Sequence, residues 1–203
     1  MSKAVTASGA AAWTPGVIIA GCALVFTVAT FWWLNARRGR LRSFAPHTFS
    51  TVLSLEQVRL VLPLVFYNPG AVPIIIQSLY FEFIEEPGSN ALAWVTTRHE
   101  VRPQKDDWTF PAVFSVAGRT AYQTFVEFKA PSLGFYLKAA DYKVAVKAKL
   151  GHKKDWHTVL TFTFYAGRIS DPRHFITYEN APDNLSEENR KEVQFALDDA
   201  LTK

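Results

Sequence analysis

The side chains best suited to hold a metal or move a proton near neutral pH are five histidines, His47, His99, His152, His157 and His174. A metal centre asks for two or three such ligands at helical or hairpin spacing, for example a pair four residues apart on one helix face. None of the five is so placed. The nearest arrangement is "HKKDWH", in which His152, Asp155 and His157 ring a hairpin turn and converge either on a cation or on nothing but water. The acid pairs Glu85-Glu86, Asp106-Asp107 and Asp198-Asp199 are adjacent in sequence, so in a strand their carboxylates point to opposite faces and general acid/base work has no convergent pair. No nucleophile elbow, glycine-rich phosphate loop or phosphate-binding lysine motif is present. The sequence therefore leads us to expect no catalytic residue, no cofactor and no bound metal, and it identifies no small-molecule substrate.

The elements around these residues start with an apolar rod. Val17 to Leu34 contains eighteen residues without a charge, about 27 Å as a helix, close to the thickness of a hydrocarbon core. Trp13 on one side and Phe31, Trp32 and Trp33 on the other have the amphipathic rings that settle at a membrane boundary, and Pro15 suits a first helical turn. The run ends in bulky aromatics and arginines rather than small residues, which favours a retained single span over a cleaved signal peptide. Arg37, Arg38, Arg40 and Arg42 follow at once, against Lys3 alone on the other flank, so the positive-inside rule puts the remainder of the chain in the cytoplasm. A domain on the outer face is the alternative.

Those arginines also explain the basic balance. Of the formal charge of +4, residues 1 to 42 carry +5 and the remainder −1. A nearly neutral domain lacks the concentrated cations that phosphate backbones require, so nucleic acid is not an expected partner. The single cysteine, Cys22, lies inside the apolar rod, which rules out an intrachain disulfide.

Beyond a short basic linker, apolar runs near 48–55, 58–67, 73–84, 91–101, 108–116, 119–129, 141–150 and 156–165 alternate with turn residues. The spacing predicts an antiparallel sandwich. In "TAYQTFVEFK" Thr120, Tyr122, Thr124, Val126 and Phe128 share the inward face and Gln123, Glu127 and Lys129 the outward one. In "DYKVAVKAKL" Tyr142, Val144, Val146, Ala148 and Leu150 face in, and "GHKKD" joins this run to "WHTVLTFTF" as a hairpin. Asn68-Pro69-Gly70-Ala71 suits a tight corner: proline presets φ, glycine accepts a positive φ, and asparagine bonds its own backbone. Pro63 inside the preceding run calls for an edge position or a bulge.

The stretch "VRLVLPLVFYNPGAVPIIIQSLYFEF" resembles the signature of water-stress and late-embryogenesis-abundant group 2 domains, and also small single-span bacterial membrane proteins of unknown function. The resemblance implies an immunoglobulin-like or fibronectin-like sandwich, often behind one membrane span, and carries no active-site residues with it. The organisation we expect is a tail (1–16), a transmembrane helix (17–34), a basic juxtamembrane linker (35–47), an immunoglobulin-like β-sandwich (48–166), an irregular segment (167–185) and a C-terminal helix (186–203).

Two surfaces remain as candidates for contact. Lys143, Lys147, Lys149, Lys153 and Lys154 gather on one strand face and its turn, fitting either a solvated outer sheet or a patch lying against anionic lipid or a partner. In the C-terminal helix Ser186 suits the N-cap, and Val193, Leu197 and Leu201 form a narrow stripe that either docks on the sandwich or binds a partner. The expected partners are thus the lipid bilayer and a protein. The expected function is a non-catalytic, membrane-anchored module that binds a protein or supports a membrane complex, with an externally facing envelope or stress-protection protein as the second possibility.

Overall fold

The computed structural model describes residues 15–84, 91–98, 109–131, 135–182 and 185–202. Lys3, Trp13, Glu85-Glu86, His99, Asp106-Asp107 and the Asn184 of a glycosylation-type tripeptide lie outside them. The chain divides into two units, Met1–Arg37 and Arg38–Lys203.

The first unit is helix α1, Pro15–Phe31, which widens into one π-helical turn over Trp32–Ala36. An 18-residue window within these 22 residues has a mean hydropathy of 2.2, and none of it is buried in protein. The helix is long and apolar enough to cross a membrane, a property it shares with signal sequences. The Thr27 hydroxyl is satisfied within the helix, because its Oγ1 donates to the Ala23 carbonyl at 2.8 Å. The wider last turn lets the Arg37 N–H reach the Trp32 carbonyl at 3.0 Å, while the Arg37 guanidinium stacks 3.9 Å from the centre of the Trp33 ring.

Among the described residues of the second unit ten strands are joined in one antiparallel sheet: β1 Arg42–Ser43, β2 Thr48–Leu53, β3 Gln57–Tyr67, β4 Ile74–Phe83, β5 Ala91–Arg98, β6 Phe114–Val116, β7 Ala121–Pro131, β8 Asp141–Leu150, β9 Trp156–Tyr165 and β10 Ile176–Glu179. Helix α2, Glu187–Thr202, closes the chain. The strands run in the order β10-β2-β3-β7-β5-β4-β8-β9, with β1 on β3 and β6 on β4. β5 is the link between the halves: Ala91 to Ala93 pair with β4, and Ala93 to Arg98 pair with β7. The sheet curls about this strand, so the inner faces of its halves meet. Phe49 on β2 lies 4.6 Å from Phe164 on β9, and Phe81 on β4 lies 5.9 Å from Phe128 on β7, both between ring centres. Phe49, Phe66, Phe81 and Phe128 are among the largest fully buried side chains, and such tilted ring pairs add about 1 kcal/mol each beyond area burial.

The expected alternation holds on the core side, where Tyr142, Val144, Val146, Ala148, Leu150, Leu160, Phe162 and Phe164 are all buried. The corner is present, with one correction: Gly70 does not take a positive φ, and what requires a glycine there is the close approach of Gly39. Asn68 is fully buried; its Oδ1 accepts from the Gly70 N–H at 2.9 Å and its Nδ2 donates to the carbonyls of Val72 at 2.9 Å and Val116 at 3.2 Å. A Cβ on Gly39 would come within 2.2 Å of the Gly70 nitrogen, so two chain segments touch through glycine backbone at this corner.

Four expectations are corrected. The linker 35–47 is partly folded onto the domain: Leu41 is buried and β1 pairs Arg42 with Tyr67. The irregular segment 167–185 contains β10, paired through Ile176 to Glu179 with β2. Pro63 sits inside an internal strand; it lies beyond the last β2 pair at Val61 and before the β1 pair at Phe66, so β3 has no partner on that side there. Glu127, assigned to a solvent face, is 1% exposed.

The two outer strands of the sheet meet at Asn180. Its Oδ1 accepts from the Tyr165 N–H at 3.2 Å and its Nδ2 donates to the Thr163 carbonyl at 3.0 Å, both on β9, while its own N–H donates to the His47 carbonyl at 2.7 Å.

Candidate functional site

Glu127 owes its surroundings to a bulge. On β5 Trp94 pairs with Phe128 but Thr96 pairs with Glu127, leaving Val95 as an extra residue. Without it Thr96 would share the core face of Trp94; with it Thr96 and Arg98 turn to the outer face alongside Glu127. On the other side of β7, the register sets Arg59 opposite Lys129 and Val61 opposite Glu127. Three strands thereby converge on one carboxylate.

Thr96 Oγ1 donates to Oε2 at 2.8 Å and Arg98 Nη2 lies 2.9 Å from the same oxygen. Arg59 Nε is 3.0 Å and Lys129 Nζ 3.4 Å from Oε1. Burial would push the Glu127 carboxyl above its usual 4.5, but the Thr96 hydroxyl and the Arg59, Arg98 and Lys129 charges together outweigh it and hold the group below that value. The carboxylate is therefore ionised at neutral pH, and among the described residues the cluster of three cations and one anion has a surplus of two positive charges. Buried Arg98 Nε has no hydrogen-bond partner among the described residues.

This cluster floors a cavity of about 710 Å³ whose walls include Trp94, Val95, Phe110 and Pro111. Backbone bonds between Thr97 and Thr109, at 3.0 Å in both directions, hold the segment carrying Phe110 beside β5. The Trp94 indole N–H is satisfied by the Thr96 carbonyl at 3.0 Å and its ring is buried in the core, edge-on to Phe114, so the aromatic surface open to the cleft is that of Phe110, 73% exposed. Chemically the arrangement offers guanidinium and ammonium donors beside aromatic surface, which suits binding of an anionic group attached to an apolar one.

Sequence reasoning missed this site because it took the outward face of β7 as solvated. The signal available was the charge at alternate positions, Glu127 and Lys129 on β7 with Arg59 on β3, but the bulge that adds Arg98 and Thr96 leaves no mark in the residue pattern.

The other expected contact residues are dispersed. Lys147 is tied to Glu82 Oε2 at 2.6 Å and lies 5.5 Å from the Tyr80 ring, contacts that raise its pKa, and Lys149 donates to the Lys154 carbonyl. Lys143, Lys153 and Lys154 are exposed. Arg37 stacks on Trp33 next to Phe31 and Trp32 in the first unit, Arg38 forms a backbone bridge with Val72, Arg42 lies in β1, and Arg40 is exposed. On α2, Val193 and Leu197 are buried and Leu201 packs partly against the same core, so the stripe is occupied by the domain itself. Gln194 fastens it: its Oε1 accepts from the Ala139 N–H at 2.8 Å and its Nε2 donates to the Leu137 carbonyl at 3.4 Å. Among the described residues no three His, Cys, Asp or Glu side chains gather as a metal site.

No protein-family model and no curated protein matches the sequence. Among solved structures the chain is similar to a protein from Archaeoglobus fulgidus, with a TM-score of 0.32 and 10% identity over 72% of this chain and 99% of that one. It is also similar to β-glucosidase 3B from Thermotoga neapolitana in complex with glucose, with a TM-score of 0.26 and 12% identity over 70% of this chain and 17% of that one.

Proposed function

We propose that this is a single-span membrane protein whose immunoglobulin-like β-sandwich, on the cytoplasmic side, is a non-catalytic module that holds a protein partner through the cleft above Glu127. The observation that carries the reading is the buried carboxylate ringed by Arg59, Arg98, Lys129 and Thr96, with two cations in excess among the described residues, beside the exposed ring of Phe110. A purely structural ion pair needs one cation for one carboxylate; the surplus, beside exposed Phe110, fits a partner segment that presents a carboxylate next to an apolar side chain. The halves of the curled sheet, facing each other through Phe49 and Phe164 and through Phe81 and Phe128, support the sandwich assignment. The arginines after α1 support the cytoplasmic side, and an outward-facing domain would instead point to the envelope or stress-protection role.

A photo-crosslinking side chain placed at Phe110 in cells should give one discrete adduct that Lys129→Glu abolishes, whereas the same group at Lys143 gives none. Failure to obtain any adduct that depends on the cleft would remove this reading.

A further inference from the structure

A second cavity, of about 380 Å³, opens beside the β8–β9 turn, and the charged or titratable side chains lining it are Arg40, His152, Lys153 and His157. None of its lining residues is acidic. Trp156 forms part of the wall, its ring held edge-on to Tyr80 at 4.6 Å between centres. The backbone beneath is fixed from three directions. Lys153 N–H closes the turn on the Leu150 carbonyl at 3.0 Å, and Gly151 N–H donates to the Ile75 carbonyl at 2.9 Å. Gly39, at the rim, is pressed against Gly70 so closely that no side chain fits there. The donors are therefore carried on settled backbone.

Electrostatics at the pocket run one way. His152 is held below its usual 6.5 by partial desolvation first, then by the charges of Lys153, Arg38 and His157. Lys149 and Lys154 lie at the same end of the hairpin, where Asp155 is the one acid between Lys149 and His157, and Asp155 does not line the cavity. In a domain whose net charge is close to zero, this gathering of like charges around a concavity is a local feature that favours an anion.

We propose that this pocket binds a phosphate group, as a mono- or diester, with Arg40, Lys153, His152 and His157 as its donors. Imidazole, ammonium and guanidinium groups are the usual partners of a phosphate, and the volume leaves room for the atoms attached to it. Two sources supply that chemistry, a lipid headgroup and a soluble phosphate compound. The lipid source rests on α1 being a membrane span: four backbone steps lead from Ala36 to Arg40, a tether of at most about 14 Å, short enough for the rim of the pocket to reach headgroups in that case.

The test uses the full chain in maltoside micelles, following the ring resonances of His152, assigned with His152→Gln, while inorganic phosphate or short-chain phosphatidic acid is added at constant ionic strength. A saturable shift, with the His152 titration moved to higher pH, is expected. An Arg40→Gln/Lys153→Gln double variant should weaken it at least tenfold while the unfolding temperature stays unchanged. Saturation by the lipid at concentrations at least tenfold lower than phosphate assigns the site to headgroups, and equal saturation by both assigns it to soluble phosphate compounds. If neither ligand gives a saturable shift, or the double variant responds like the wild type, the proposal is overturned. The phosphate arm does not depend on the membrane, so its result separates failure of this site from failure of the membrane reading.

Discussion

Glu127 is a carboxylate whose charge is neutralised only by neighbours on three strands, so its removal should be felt as stranded cations rather than as a lost hydrogen bond. Glu127→Gln keeps the shape and leaves Arg59, Arg98 and Lys129 facing a neutral amide; we expect a loss of about 3 kcal/mol, read as a fall in the denaturant midpoint of the full chain in micelles. The pH dependence follows from the lowered pKa. Ionised Glu127 contributes fully above its usual 4.5 and loses that contribution as pH falls through the lower native value, so wild type should weaken below pH 4.5 by a step that Glu127→Gln lacks. Asn68 makes a parallel case at the corner. Asn68→Ala would leave the buried ends of its three bonds unmet and should cost about 2–3 kcal/mol in the same assay. Of these two residues, only Asn68 was legible in the sequence. Two of its three bonds are local, to Gly70 and Val72 in its own turn, whereas the setting of Glu127 depends on β3 and β5, with Arg98 already 29 positions away.

The elements follow the same division between local and distant causes. Strands with clean alternation, β7, β8 and β9, lie within two residues of where the pattern sets them, because a one-residue slip would turn Val144, Val146 and Phe162 to solvent. β10 has only Ile-Thr-Tyr-Glu to show, too short for a period, and it is strand because β2 offers an open edge to pair with. Helix α2 was legible as a helix but its destination was not, since a stripe of Val193, Leu197 and Leu201 reads alike for docking on its own domain or on another protein. Its packing makes a definite expectation: Leu197→Ala, at a site with no solvent exposure, should destabilise by about 2–5 kcal/mol. Gln194→Ala should cost about 1 kcal/mol, as it leaves the Ala139 N–H without its partner. If α2 were an independent arm, neither substitution would shift the unfolding midpoint of the domain.

At the scale of the whole molecule, α1 exposes every side chain over 22 residues, and a surface of that kind is stable in water only if something covers it. With lipid as that cover, the full chain should stay in the membrane fraction through carbonate extraction. Protease added to intact cells should then leave the domain uncut; cleavage from outside would place it on the opposite face and favour the envelope role. The strand edges of the domain have a different cover. β9 and β10 each end the sheet with a row of backbone donors and acceptors, which is how one protein recruits strands of the next into fibrils. The amide of Asn180 occupies two of those positions on β9 in the manner of a one-residue strand. Were α1 anchored in a bilayer, copies of the chain would lie side by side, and the two positions filled by this carboxamide are two that a neighbouring strand would not find open.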